Sequence, residues 1–445
     1  MCKKNESEGN DMQKKPKALI YTLGCRVNTC ESLSLADRLA ERGFEILGAR
    51  STAIPDTVIV NTCAVTAEGS RKCAQAIRRF RQKFGDALIV AAGCLCQSGR
   101  EIPEAHIVFG NSDKDKIAEL VEKYVFSRPE KQIYAVGDIL SETRCSDAVH
   151  QTAYMTKCNI KIQDGCDSKC SYCIIPSLRG RVRSKDPKKL ISEIKQRVSE
   201  GMREIVLTGI ETGSYGKDLG DVCLCDILEE ADKIEGIYLI RLGSLDPYCF
   251  NEEFIERLSK IKHLEKHIHL SVQSGADKVL AGMKRKYNRK MLIERINELY
   301  EKIPGLHLTA DIITGFPGET EEDFEQTLLL AKNVQFFHIH IFPYSEREGT
   351  PAAAMSVSVP TEIRKRRAAE LEKVNAECKN ALLQKAVGSE CTVHFETKKG
   401  EYNRGYNSAF VPVSVKCAEN LKGNICKVRI TGVSEEEKRL IGELI

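Results

Sequence analysis

The stretch DGCDSKCSYC, residues 164–173, decides how this chain is read. Cys166, Cys170 and Cys173 form a CxxxCxxC on one short loop, directly after the apolar, strand-like run CNIKIQD at 158–164. Three thiolates on one loop can hold three irons of a 4Fe–4S cube and leave the fourth iron without a protein ligand. An open iron can chelate a small molecule, and its potential is tuned by the protein around it. A structural zinc knot is the plainer alternative. Such sites close on four ligands, usually in paired CxxC spacing, and this loop offers three. Ferredoxin spacing is also different, with shorter gaps and a trailing Cys-Pro.

The chain has 445 residues, 42% of them apolar, and 19 cysteines spread along its length. At one domain per ~150 residues, that predicts about three domains. The N-terminal MCKKNESEGNDMQKKPK is polar and mixed in charge, which predicts a disordered tail over 1–16 and no secretory signal. No apolar run approaches the ~18 residues of a membrane span. A long, reduced, cytoplasmic chain with clustered cysteines points to metal or redox chemistry rather than disulfides. The net charge of +4 says little about nucleic acid.

The fold class is α/β. Residues 17–145 alternate apolar runs (ALIYTL, TVIVN, ALIVAA, HIVFG) with amphipathic stretches such as ESLSLADRLAERGF. This predicts a parallel sheet with crossover helices. A polar, irregular linker is expected over about 127–156. From 150 to 384 the alternation resumes on a larger scale. Six strand candidates, CNIKIQD, EIVLTGI, YLIRLGS, HIHLSVQ, LTADIITG and FFHIHIFPY, predict a partial (β/α)6 barrel with a helix at its C-terminal end. One intervening helix, PKKLISEIKQRVSEG, starts with Pro187 in its first turn and stops at Gly201. Residues 385–445 carry short strand-like runs between Gly, Lys and Asn, the pattern of a small β-barrel near the OB-fold.

The first domain holds a second cysteine set. Cys25 closes ALIYTLGC, Cys63 closes TVIVNTC and Cys94 closes ALIVAAGC. In a parallel sheet all three emerge at the C-terminal edge, where α/β ligand sites form. Gly24 and Gly93 allow close backbone approach to a bulky cluster. Any one of these cysteines alone reads better as a small core residue; three at equivalent strand ends read as a second cluster site. Cys30 and Cys73 fall in helix-like stretches, and Cys96 lies two residues beyond a better-placed ligand.

Together LGCRVN, VNTC, AAGC, CSYCIIP, SVQSG, ITGFPGE and PYSEREGTPA resemble the radical S-adenosylmethionine methylthiotransferases, over nearly the whole chain. The spellings GCRVN, LTGIETGSYG (207–216) and MKRKY (283–287) look most like the branch acting on threonylcarbamoyladenosine in tRNA. Two other branches act on isopentenyladenosine in tRNA and on an aspartate of a ribosomal protein. GCLCQ at 93–97 departs from the aromatic residue expected at Leu95. The resemblance implies an N-terminal methylthiotransferase domain, a radical-SAM barrel and a C-terminal TRAM domain that binds RNA. It implies two 4Fe–4S clusters and S-adenosylmethionine as cofactors. Cys166, Cys170 and Cys173 would hold the radical-SAM cluster, and Cys25, Cys63 and Cys94 an auxiliary cluster that carries the sulfur. It implies tRNA as partner, an electron donor such as a flavodoxin or ferredoxin system, a sulfur source, and methylthiolation of carbon 2 of adenine. Gly209, Glu211, Gln273, Ser274 and Gly315 lie at the barrel face where cofactor contacts form, as do Pro317 and Gly318. A turn or packing role fits each of these residues as well.

Histidines 267, 269, 338 and 340 alternate along strands and read as barrel residues rather than metal ligands. Three basic runs, RKCAQAIRRFRQK (71–83), RGRVRSKDPKK (179–189) and RKRR (364–367), are candidates to face phosphates. Arg179 and Arg181 are candidates for a substrate carboxylate. Phe395, Tyr402, Tyr406 and Phe410 are candidates for base stacking, with Phe395 and Phe410 equally suited to a core. The rival from another class is a non-catalytic iron–sulfur electron carrier, which leaves the six barrel strands and the RNA-binding-like tail unexplained.

Overall fold

The computed structural model describes residues 15–48, 51–146 and 156–445. The expected tail, but for its last two residues, and positions 147–155 of the expected linker lie outside the described residues.

The first sheet has six strands: β1 (Lys17–Thr22), β2 (Glu45–Leu47), β3 (Thr57–Thr62), β4 (Leu88–Gly93), β5 (Ile107–Phe109) and β6 (Ile133–Ala135). They pair in parallel in the order β2-β1-β3-β4-β5-β6. Every residue of β3 and β4 is buried. Continuous apolar runs of this kind fit a strand covered on both faces. Helices α1 (Arg26–Glu41), α2 (Ala67–Lys83) and α3 (Cys94–Gln97) each begin just past the end of β1, β3 and β4.

The second unit has six parallel strands. These are β7 (Lys157–Lys161), β10 (Glu204–Thr208), β11 (Leu239–Leu242), β12 (His267–Gln273), β13 (His307–Thr314) and β14 (His338–Pro343). They form sheets β11-β10-β7 and β12-β13-β14, joined by the bridges Ile240–Leu264 and Leu245–Leu270. An antiparallel pair, β8 (Gln163–Asp164) with β9 (Arg183–Ser184), frames the cysteine loop. Helix Pro187–Ser199 starts at Pro187 behind the Asp186 cap, as the sequence predicts. Strand residues alternate with period two. Ile160, Leu207, Leu242, Leu270, Ala310 and Ile339 pack against the helices. The intervening set, including Thr208, His267, His269, Thr309 and Asp311, lines the barrel cavity.

The chain ends in a closed five-stranded barrel, as expected for a small β tail. Its strands are β15 (Glu390–Lys399), β16 (Tyr402–Asn407), β17 (Pro412–Lys416), β18 (Ile425–Ser434) and β19 (Arg439–Leu444), in the order β15-β16-β17-β19-β18. It seats against the larger barrel through Lys157–Glu396 at 2.7 Å, His394–Glu204 at 3.1 Å and the Arg241 guanidinium 3.7 Å over the Phe410 ring.

A buried ion network joins the first sheet to the larger barrel. Glu31 of α1 meets Arg179 at 2.6 Å, Lys161 at 3.0 Å, and Lys114. Asp164 meets Lys161 at 2.6 Å and Arg179 at 3.2 Å, and Arg179 also donates to Asn28 at 2.6 Å. Burial alone would raise the Glu31 carboxyl, but Arg179, Lys114 and Lys161 hold it well below the usual range. Asp164, likewise buried, is held down to about 2 by Lys161 and Arg179. Arg179 is thus spent inside the protein, which corrects its candidacy as a substrate partner.

Replacing one member leaves opposite charges buried and unpaired. Glu31→Ala is expected to cost about 3–5 kcal/mol, read as a lower urea midpoint for the apoprotein. Both carboxyls are depressed in the folded state. Their stabilisation is therefore full above the ordinary carboxylate range and is lost as pH falls, for Asp164 between ~3.9 and about 2. In Glu31→Ala the Glu31 share of that acid-side loss should vanish.

Candidate active site

Cys25, Cys63 and Cys94 follow three adjacent parallel strands, so sheet order alone brings them to one edge. Cys25 caps α1, Cys63 follows β3 and Cys94 opens α3. The three are close enough for their charges to act on one another. Gly24 has φ +112°, and a Cβ there would lie 2.9 Å from Cys63 Cβ and 3.2 Å from its Sγ. Gly93 has φ +102°, and a Cβ there would lie 2.8 Å from the Thr62 carbonyl. Both glycines therefore sit where a side chain would collide with the neighbouring strand or loop. Two asparagines fix the loops. Asn28 donates to the carbonyls of Leu23 (2.8 Å) and Thr62 (2.9 Å), and Asn61 donates to the carbonyl of Asn28 (3.0 Å). Asn111, which the sequence did not single out, donates to Cys94 Sγ at 3.5 Å and to the Leu178 carbonyl at 2.8 Å.

The neighbouring thiols have other partners. Cys96 packs in the core of the first sheet, Cys30 faces the Asn159 carbonyl at 3.5 Å, and Cys73 accepts the Cys63 amide at 3.2 Å. Burial pushes the Cys63 thiol up to about 11 and raises Cys25 against the pull of Arg179.

The second set lies on the loop between β8 and helix Ile175–Arg179. The Cys166 amide donates to the Gly180 carbonyl at 3.0 Å, and the Cys173 amide to the Cys170 carbonyl at 3.1 Å. Backbone amides of Ser168 and Ile175 point at Cys166 Sγ and Cys173 Sγ, each at 3.4 Å. Arg285 donates to Cys170 Sγ at 3.1 Å and is anchored by Asp246 at 2.7 Å. Arg285 lies in MKRKY, which the sequence offered as a branch-specific spelling and not as a site residue. Burial pushes the Cys173 thiol up to about 11. Burial, then Glu211, raises Cys166.

Both cysteine sets suit a cluster better than a single ion. Tetrahedral zinc with ligands at ~2.3 Å brings sulfurs to about 3.8 Å. Among the described residues, neither set appears as three ligand atoms within 4.8 Å; His269, Asp311 and His340 form such a group. Amide and guanidinium donors aimed at sulfur are how proteins tune iron–sulfur sites.

The remaining candidates divide. Glu211 lies 3.1 Å from Cys166 Sγ, at the cysteine loop. Gly209 lines the cavity, and a Cβ there would meet Gln163 Oε1 at 2.7 Å. Gln273 is buried with φ 67° where the β12–β13 register shifts. Ser274 is bonded to Thr327 of helix Glu321–Val334 at 3.3 Å. Gly315, φ +73°, leaves 2.4 Å between a would-be Cβ and Arg364 Cγ, a packing contact with the long helix Thr361–Lys385.

A cavity of about 730 Å³ opens beside Cys25 and Arg26, walled by His269, Asp311, His338 and His340. Its size suits a nucleoside-sized ligand. His269 sits 3.2 Å from Asp311 and 2.7 Å from Thr309 Oγ1. Tyr406 and Phe410 of the small barrel, stacked at 4.6 Å, line the same space, whereas Phe395 is core and Tyr402 is exposed.

The basic runs are largely taken up within the protein. Arg71 pairs with Glu68 at 2.6 Å and Arg78 with Glu104 at 3.0 Å. Lys185 pairs with Glu193. Arg364 donates to carbonyls at 2.7 and 2.8 Å, Arg366 meets Glu321 at 2.8 Å and Arg367 meets Glu319 at 2.7 Å. Arg181 stays exposed.

Two variants test the geometry. Gly24→Ala should cut iron bound after anaerobic reconstitution to about half, because it forces both a strained φ and a collision with Cys63. The triple change of Cys166, Cys170 and Cys173 to Ala should also halve the iron. If the triple variant keeps full iron, the loop is not a ligand set.

Comparison with known proteins fits this geometry. Residues 160–331 match the radical SAM superfamily, and residues 17–110 match the uncharacterized protein family UPF0004. The threonylcarbamoyladenosine tRNA methylthiotransferase MtaB of Bacillus subtilis is 36% identical over 92% of this chain and 93% of its own length. That of Thermotoga maritima is 34% identical over 94% and 95%. The tRNA-2-methylthio-N(6)-dimethylallyladenosine synthase of Natranaerobius thermophilus is 35% identical over 81% of each. Among solved structures, the radical S-adenosylmethionine methyltransferase TsrM of Kitasatospora setae superposes with a TM-score of 0.56 at 16% identity, over 76% of this chain and 75% of that one, a likeness of fold alone.

Proposed function

Because the chain belongs to the radical S-adenosylmethionine methylthiotransferase family, we propose that it adds a methylthio group to carbon 2 of N6-threonylcarbamoyladenosine beside the anticodon of tRNA. Its cofactors are two 4Fe–4S clusters and S-adenosylmethionine. The observation that carries the substrate reading is the end-to-end likeness to proteins named for that substrate, at 36% identity over 92% of the chain.

In this reading Cys166, Cys170 and Cys173 hold the radical-SAM cluster, and Cys25, Cys63 and Cys94 hold the auxiliary one. Once bound, these groups supply a 5′-deoxyadenosyl radical and the sulfur for transfer, chemistry no side chain provides. The chain's residues orient and shield. Arg285 braces Cys170. Glu211, beside Cys166, is placed to accept from an amine held at that loop, and Gly209 lines the cavity with its backbone against Gln163. Tyr406 and Phe410 offer ring faces to a base entering from the small barrel's side. That barrel, over 385–445, would be the RNA-binding TRAM unit, with the methylthiotransferase unit over 17–145 and the radical-SAM barrel over 150–384. The electron comes from a flavodoxin or ferredoxin system, and the sulfur from a separate source. A cytoplasmic place goes with a tRNA substrate. Among the described residues, no helix is long and apolar enough to cross a membrane.

A second reading, action on isopentenyladenosine, has the 35% identity to the Natranaerobius thermophilus protein in its favour. Purified, reconstituted enzyme given tRNAs carrying either modification separates the two. The 2-methylthio nucleoside should appear by mass spectrometry from the threonylcarbamoyl tRNA. Product from the isopentenyl tRNA alone overturns the substrate assignment and leaves the family standing.

A further inference from the structure

Arg26 opens α1 directly after Cys25, and both line the 730 Å³ cavity. Most large cations around the two cysteine sets are closed on acids: Arg179 on Glu31 and Asp164, Arg285 on Asp246, Arg241 on Glu204 and Glu265. Not closed on an acid, among the described residues, are Arg347, which donates to Ser70 Oγ at 3.2 Å, Lys379 on the same cavity wall, and Arg26 itself. Among the described residues, no side chain hydrogen-bonds to its guanidinium or forms an ion pair with it. The carboxylates whose charge reaches it are Glu265 and Glu204. Arg241 already holds them at 2.6 and 2.7 Å. Asp311, the acid on the cavity wall, is engaged by His269. The cavity therefore presents an unspent guanidinium, whose planar fork matches a carboxylate in two parallel hydrogen bonds.

Position adds to chemistry. In the proposed function, sulfur reaches carbon 2 of an adenine held beside Cys25. Carbon 2 and the carbon bearing N6 flank the same ring nitrogen, so an N6 substituent stays within the same cavity. The neighbour of Cys25 is placed to meet it.

We propose that Arg26 is the specificity residue of this enzyme, pairing with a carboxylate on the N6 substituent of the substrate adenosine. The inference rests on the methylthiotransferase reading above. An anionic substituent satisfies the guanidinium, whereas an apolar one leaves it desolvated and unpaired, a mismatch that lets one polar site reject an analogue strongly. A tRNA backbone phosphate would offer the same anionic chemistry, and the test separates the two sources.

Reconstituted wild type, Arg26→Gln and Arg26→Lys are given an anticodon stem-loop carrying threonylcarbamoyladenosine and the same stem-loop with the substituent carboxylate converted to an amide. Methylthiolated product is measured by mass spectrometry and stem-loop affinity by fluorescence anisotropy. Wild type should prefer the acid by about 10²-fold or more. Arg26→Gln should lose that preference by falling on the acid alone, in affinity as well as turnover. Arg26→Lys should restore part of it. An equal loss on acid and amide assigns Arg26 to a backbone phosphate and overturns the proposal, as does an unchanged preference in Arg26→Gln. Should Arg26→Gln bind less iron than wild type, the affinity comparison between Arg26→Lys and wild type decides, because lysine keeps the charge and loses the fork. Failure of the wild type on the acid stem-loop would instead remove the substrate reading itself.

Discussion

The buried ion network around Glu31 holds the two cysteine sets in one molecule. Glu31 and Lys114 come from the first unit, and Lys161, Asp164 and Arg179 from the barrel. Asp164 directly precedes the barrel's cysteine loop, and Glu31 lies one and a half turns into the helix that Cys25 caps. Burying such charges is costly, so the network does not explain stability by itself. It ties the two units together across their boundary, because leaving any member unpaired there is expensive.

The network is also unbalanced. Four cations, Lys114, Lys161, Arg179 and Arg183, face two carboxylates, Glu31 and Asp164. The surplus lies toward the first cysteine set: Arg179 acts on both Cys25 and Cys94. Burial raises Cys25 and Cys63, so these thiols resist ionisation. A nearby positive surplus offsets part of that resistance and favours the thiolates that iron requires. The second set gains similar help from Arg285 and from backbone amides.

The inner face of the larger barrel follows the same rule. Its alternating strands place Glu204, Arg241, His267, His269, Thr309 and Asp311 inside, where each needs a partner. The small barrel closes that space through His394 on Glu204 and Phe410 under Arg241. The C-terminal unit is thus part of the cavity wall as well as an appended binding surface.

The sequence by itself determined what local pattern controls. CxxxCxxC after an apolar run marked one ligand loop, three cysteines after apolar runs marked the other, and apolar runs separated by helix-like stretches marked the six barrel strands. These signals survive because ligand spacing and burial on one face are written within a few residues. Only the tertiary structure decided which charges are free. The run at 179–189 reads as a basic surface, yet Arg179 and Lys185 turn inward to acids 148 and 8 residues away, and the arginines of 364–367 bind backbone carbonyls and helix carboxylates. Arg26, one letter in GCRVN, is left unpaired because every acid near it is already taken. Pairing depends on distance in space, and a sequence does not carry that.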